Sequence, residues 1–104
     1  MVKIGHEHLK GWDGLVDQML LELREIDPDI KIVQIKEKFG LLRVYFDTLS
    51  GRYNELEAII DKYEALSGQT CESCGTTENV TREGAYWVKT LCKECRVKEL
   101  KEAG

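Results

Sequence analysis

From Gly11 to Ile26 the apolar side chains are Trp12, Leu15, Val16, Met19, Leu20, Leu23 and Ile26. Their spacing of three and four residues describes one face of an amphipathic helix. Asp13 can cap its start, with Gly11 as the alternative. The run Asp27-Pro28-Asp29 stops it, because Pro28 disfavours helical geometry at the residue before it. Trp12 and Met19 read as core packing. A second stripe, Tyr53, Leu56, Ile59, Ile60, Tyr63 and Leu66, predicts a helix over 52–67. Asn54 and Glu57 have the spacing of a capping box, Ser50 is the competing start, and Gly68 is the stop.

Between the two stripes the period changes to that of a strand. The stretch "IVQIKEKFGLLRVYF", Ile32 to Phe46, reads as a β-hairpin with Phe39-Gly40 at its tip. A two-residue loop sets Lys38 opposite Leu41, Glu37 opposite Leu42, Lys36 opposite Arg43, Ile35 opposite Val44, Gln34 opposite Tyr45 and Val33 opposite Phe46. Alternation then sorts the side chains. Val33, Ile35, Leu42, Val44 and Phe46, with Glu37 near the tip, form a face that packs on the helices. Ile32, Gln34, Lys36, Lys38, Leu41, Arg43 and Tyr45 form the other. This register sets two cations, Lys36 and Arg43, side by side, where like charges normally destabilise.

The chain has 104 residues, 42% hydrophobic and 33% charged, which suits one soluble domain or a small domain with an appended module. No apolar run approaches the ~20 residues that span a bilayer. The N-terminal "MVKIGHEHLK" lacks the apolar stretch of a secretory signal, so a cytoplasmic location is expected, the host cytoplasm if the chain is phage-encoded. Net charge is −4, unevenly spread: residues 1–30 carry −4, residues 31–46 carry +3, residues 47–70 carry −3, and residues 71–104 balance. An acidic total argues against non-specific DNA coating, and the hairpin is the one basic island.

All four cysteines lie in the last third, as Cys71-x2-Cys74, seventeen intervening residues, then Cys92-x2-Cys95. That is the spacing of a four-cysteine zinc site, and Gly75 permits the tight turn after the first pair. Disulfides are disfavoured without a signal peptide, and a thiol redox site would need a single pair at a helix start. Between the pairs comes a turn at Glu83-Gly84 and a strand-like "AYWVKTL"; Cys92 then leads into a polar, helix-forming tail. Knuckle, hairpin and second knuckle at a helix start are the order of a treble clef. With four protein ligands, one Zn2+ would have no open position and would be structural.

Signals for catalysis are weak. His6 and His8 could bind metal or move protons from one strand face, but such pairs near a terminus are usually just exposed. No Ser/His/Asp order, nucleophile elbow, P-loop or H-E-x-x-H appears. Residues 70–104 contain no histidine, which rules out an ordinary His-Asn-His nuclease on a treble clef. The polar hairpin face, Gln34, Lys36, Lys38, Arg43 and Tyr45, is the better lead. An Arg fork beside Lys point charges suits phosphate or carboxylate, and an anion would turn their repulsion into attraction. The competing reading is neutralisation by a Glu or Asp from elsewhere in the chain, such as Glu7, Glu55 or Glu57, or by water.

The segments "GWDGLV", "VQIKEKFGLLRVYF" and "TCESCG…YWVKTLCKEC" together resemble a widespread set of small bacterial and phage or prophage proteins. That set carries a G-W segment, then K-E-K-F-G-G-L-R-x-Y, then a cysteine-rich C-terminus. The resemblance spans most of the chain in the same order and falls on Lys36, Glu37, Lys38, Phe39, Gly40, Leu42, Arg43 and Tyr45. Leu41 departs from the second glycine, which leaves the turn type open. It brings no established activity with it.

The expected architecture is α+β. A hairpin, which an N-terminal strand can join, is covered by two helices (1–69), followed by a treble-clef-like zinc module (70–104). The expected function is a non-enzymatic phage or prophage-type binding protein. It would take an anionic small molecule, such as a nucleotide signal of host defence, or an acidic host-protein surface on the hairpin face. The alternative is a regulator that binds DNA or RNA.

Overall fold

A computed structural model describes residues 5–7, 9–84 and 88–103. The chain runs β1 (Gly5–Glu7), a single 3-10 turn (Lys10–Trp12), α1 (Asp13–Ile26), β2 (Lys31–Lys38), β3 (Leu41–Asp47), α2 (Tyr53–Ser67), β4 (Val80–Glu83), β5 (Lys89–Cys92) and α3 (Lys93–Ala103). The fold is α+β. One sheet has the order β1-β2-β3, with β1 parallel and β3 antiparallel to β2; β4 and β5 form a second, antiparallel pair.

Both apolar stripes form helices, and both helices pack on one face of the first sheet. Val16, Met19 and Leu23 of α1, Leu56, Ile60 and Tyr63 of α2, and Ile32, Ile35 and Leu42 of the sheet form one buried cluster with Trp12. Full burial of each large aliphatic side chain there contributes about 1.5–3 kcal/mol. The helix starts differ from the expected caps. Trp12 and Arg52 hold the N-cap positions, without a side-chain cap, and Asp13 and Asn54 fall just inside the helices. The chain entering α2 is shaped instead by Ser50, whose Oγ accepts the Arg52 N–H at 3.1 Å. The Tyr63 hydroxyl donates to Glu22 and so ties α2 to α1. Burial, and then that carboxylate, push its pKa up to about 12.

The hairpin turns at Phe39-Gly40, and the register from Gln34↔Tyr45 to Lys38↔Leu41 is the expected one. Both tip residues have positive φ, 56° for Phe39 and 76° for Gly40, which is a type I′ turn. Leu41, in place of a glycine, is already in the strand. The register departs below Gln34. A β-bulge between Ile32 and Gln34 leaves Val33 without a partner and pairs Ile32 with Phe46. Ile32 is therefore in the core, whereas the sequence had placed it outside, and Val33 is half exposed. A bulge inserts one extra residue and so reverses the alternation beyond it.

The C-terminal segment docks on this body through main chain. The Gly11 N–H donates to the Glu72 carbonyl at 2.8 Å, and the buried Trp12 indole N–H donates to the Thr70 carbonyl at 2.9 Å. A Cβ on Gly11 would lie 2.2 Å from the Cys71 carbonyl oxygen, so no other residue fits without moving the backbone. On Gly14, three residues further on and inside α1, a Cβ meets nothing within 4 Å. Gly11→Ala should therefore cost about 2 kcal/mol or more in urea unfolding, as overpacking does. Gly14→Ala should be neutral or gain up to about 1 kcal/mol from helix propensity. The reverse ranking would mean that the close approach at Gly11 carries no weight.

Candidate metal centre and the outer face of the sheet

The two cysteine pairs are brought together by the second β-hairpin. Cys71 and Cys74 lie on a tight turn closed by the Gly75 N–H on the Cys71 carbonyl (2.9 Å) and by the Cys71 N–H on the Thr76 carbonyl (2.8 Å). Cys92 ends β5 and Cys95 sits in the first turn of α3. The Lys93 N–H, bonded to the Asn79 carbonyl at 2.9 Å, joins that corner to the start of β4. All four Sγ atoms lie within 4.8 Å of one another, and Cys74 Sγ stands 3.7 Å from Cys92 Sγ. Metal bonds of ~2.3 Å in a tetrahedron would require sulfur separations of ~3.8 Å. The group can hold a metal ion.

Each pair also points a backbone N–H at its first sulfur, Cys74 N–H to Cys71 Sγ at 3.5 Å and Cys95 N–H to Cys92 Sγ at 3.4 Å. Such donors favour thiolate. Burial works against ionisation of Cys71, but the N–H groups of Cys74, Cys92 and Ser73 bring its pKa down to about 6. Cys95 is pushed the other way, to about 12, first by its bond to Cys92 and then by burial.

The hairpin tip of the body belongs structurally to this centre. Thr90 Oγ donates to the Gly40 carbonyl, and Arg82 Nε donates to the Phe39 carbonyl at 2.8 Å. Glu37 turns back, and its Oε2 accepts the Gly40 N–H at 2.9 Å. Glu72 is the link on the other side. Its N–H donates to the Thr90 carbonyl, and its Oε1 accepts the Thr90 N–H at 2.6 Å. Burial raises the Glu72 pKa, against that N–H. Sequence reasoning missed Thr70, Glu72, Arg82 and Thr90 entirely. The only signal for them was indirect, the glycine next to a tryptophan at Gly11-Trp12.

The residues expected on the polar face do share one side of β2 and β3 by alternation, but they do not act as one cluster, since Arg43 reaches α2. Arg43 bonds Glu64 of α2 at 2.8 Å, a carboxylate from elsewhere in the chain though not Glu7, Glu55 or Glu57. Glu55 pairs with Arg52, Glu57 accepts from Tyr53, and the β1 register sets Glu7 beside Lys36. The Lys36 ammonium lies 5.5 Å from the Tyr45 ring centroid and that of Lys38 lies 5.7 Å from the Phe39 ring. The repulsion implied by Lys36↔Arg43 is thus relieved on one side by a carboxylate and on the other by an aromatic face. Gln34 is half-buried opposite Tyr45. His6 lies in β1, beside Ile35 in register, and His8 lies outside the described residues. Among the described residues no helix is long and apolar enough to cross a membrane.

No protein-family model, no curated protein and no solved structure matches the chain.

Metal uptake at neutral pH must displace the Cys95 proton, while Cys71 is already largely thiolate. Affinity should therefore rise with pH, and uptake should acidify a weakly buffered solution. Below about pH 6, where Cys71 also takes a proton, affinity should fall more steeply. Competition with a chromophoric chelator across this range checks it; a flat affinity would contradict thiolate ligation.

Proposed function

We propose that the protein is a non-enzymatic binding protein in which one structural zinc braces a small α+β body whose outer sheet face receives an anionic partner. The observation that carries the reading is the state of that face. Lys36 and Lys38 alternate with the core-facing residues of β2 and stand beside the exposed rings of Tyr45 and, at the hairpin tip, Phe39. Ammonium groups offer a match for phosphate or carboxylate, and rings beside them offer a stacking surface for a planar base. A nucleotide combines both. In the phage or prophage setting implied by the sequence resemblance, the partner would be a nucleotide signal of host defence or an acidic patch on a host protein.

Zinc is supported by the donor set. Four thiolates at tetrahedral spacing suit a soft, four-coordinate ion and not magnesium or calcium. Turn, hairpin and helix in that order support a treble-clef-like module, with Cys71, Cys74, Cys92 and Cys95 filling the coordination sphere. The part assigned to zinc is mechanical. It fixes Thr90 and Arg82, which hold the tip that presents Lys38 and Phe39.

Arg43 is a positioning residue in this reading, since its guanidinium is already engaged by Glu64. A second reading, single-stranded RNA or DNA, is favoured by the two exposed rings, Tyr45 on β3 and Phe39 at the hairpin tip, each beside a lysine. Calorimetric titration of the zinc-loaded chain with a cyclic dinucleotide and with a short oligonucleotide, at two salt concentrations, separates them. Lys36→Gln and Lys38→Gln should each weaken a true ligand by about tenfold or more, as loss of a charged hydrogen bond of about 1.5 kcal/mol would. Phe39→Asn should weaken it while keeping the turn, because Asn tolerates positive φ. Steep loss with salt assigns nucleic acid. Binding that survives both lysine changes would place the site elsewhere.

A further inference from the structure

The outer edge of β3 is a separate feature. β3 is the last strand of its sheet. The Leu42 N–H points away from β2 and donates to Ser67 Oγ at 2.9 Å. Edge amides alternate along an antiparallel strand, so the N–H groups of Val44 and Phe46 point the same way. Leu42 is the one β3 residue whose edge amide donates to a side chain among the described residues. An unpaired edge of this kind is a template for another strand.

α2 runs beside this edge in the opposite sense. Ser67 meets Leu42, Glu64 meets Arg43, and the Tyr53 ring stacks on Phe46 with centroids 5.1 Å apart. Between helix and strand lies a groove of about 290 Å³, with Val44 and Phe46 on one wall and Tyr53, Glu57, Ile60 and Asp61 on the other. Glu57, Asp61 and Glu64 follow i, i+4, i+7 spacing, which is one ridge of the helix. Glu64 is matched by Arg43; Glu57, which also accepts from the Tyr53 hydroxyl, and Asp61 form the rest of the acidic wall. Their positions are ~6 Å apart along the axis. Alternate residues of an added strand are ~6.8 Å apart and point to the same side. Cations two residues apart would therefore meet these two carboxylates in turn.

We infer that the β3 edge is a docking site for an extended segment of a partner protein carrying lysine or arginine at alternate positions. Such a segment bonds the Val44 and Phe46 amides with its main chain and faces Glu57 and Asp61 with its basic side chains. This site uses the edge and α2, so it does not depend on the outer-face reading; Lys36→Gln with Lys38→Gln should leave it unchanged.

The test uses the zinc-loaded full chain and a labelled heptapeptide with lysine at every second position and valine between. Fluorescence anisotropy should show saturable binding, and amide exchange at Val44 and Phe46 should slow on saturation. Charge reversal by Glu57→Lys with Asp61→Lys should weaken binding at least tenfold. It should also create binding to the matching peptide with glutamate in place of lysine. That swap separates a lost site from a misfolded variant. No binding, binding indifferent to the reversal, or binding without protection of the two amides would overturn the inference. So would concentration-dependent dimerisation that protects Val44 and Phe46 with no peptide present, because the edge would then pair with itself.

Discussion

The structure depends on a clasp of hydrogen bonds onto main-chain carbonyls, made between segments distant in sequence. On one side are the tip of the β2–β3 hairpin and the Gly11-Trp12 bend, and on the other are the backbone before and at the cysteine knuckle and side chains of β4 and β5. Carbonyls at Phe39 and Gly40 accept from Arg82 and Thr90, while Gly11 and Trp12 donate to Glu72 and Thr70. The Thr90–Gly40 and Trp12–Thr70 bonds are buried, so leaving either without a partner costs about 1–3 kcal/mol, whereas the Arg82–Phe39 bond is exposed and contributes less. Phe39 shows how firmly the tip is held. It stays in the left-handed region, disfavoured for a residue with a Cβ by about 1–2 kcal/mol.

This clasp changes how the segment Lys36-Glu37-Lys38-Phe39-Gly40 is read. Its distinctive centre is occupied with holding the tip: Glu37 closes the turn from within, and the Phe39 and Gly40 carbonyls are docked outside it. Gly40 has a second reason to be glycine beyond its φ, because a Cβ there would lie 3.0 Å from Thr90 Oγ. The side chains that take no part in the clasp are those of Lys36, Lys38 and Tyr45 and the Phe39 ring. The metal centre and the sheet face are thus one mechanical unit, in which the cysteines fix the small hairpin and the small hairpin fixes the tip.

Much of this architecture was legible locally. Heptad-like spacing found both long helices, and a two-residue loop fixed the register from Gln34 to Lys38, because alternation leaves no freedom once the turn is set. The cysteine spacing brought the right four residues together. The bulge at Val33 was not legible: Ile32 and Val33 are adjacent β-branched residues, and either can face the core. Which one does is decided by the shape of the helices beneath. β4 was expected only as the unbounded first strand of the hairpin turning at Glu83-Gly84, because only Val80 of its four residues is partly buried and no periodicity marks it. Glu64 was missed as the partner of Arg43 for a different reason. Helix and strand meet antiparallel, so their contacts follow three-dimensional packing that no sequence spacing encodes.

The central claim is that the metal site and the body fold as one cooperative unit through the clasp. The most direct test is urea unfolding of the metal-loaded chain, with helix content followed by circular dichroism and metal release followed by a chromophoric chelator in the same sample. A single transition with coincident midpoints is the result this account predicts. Metal release at clearly lower urea, with the helices of the body still intact, would contradict it and make the cysteine segment an independent appendage.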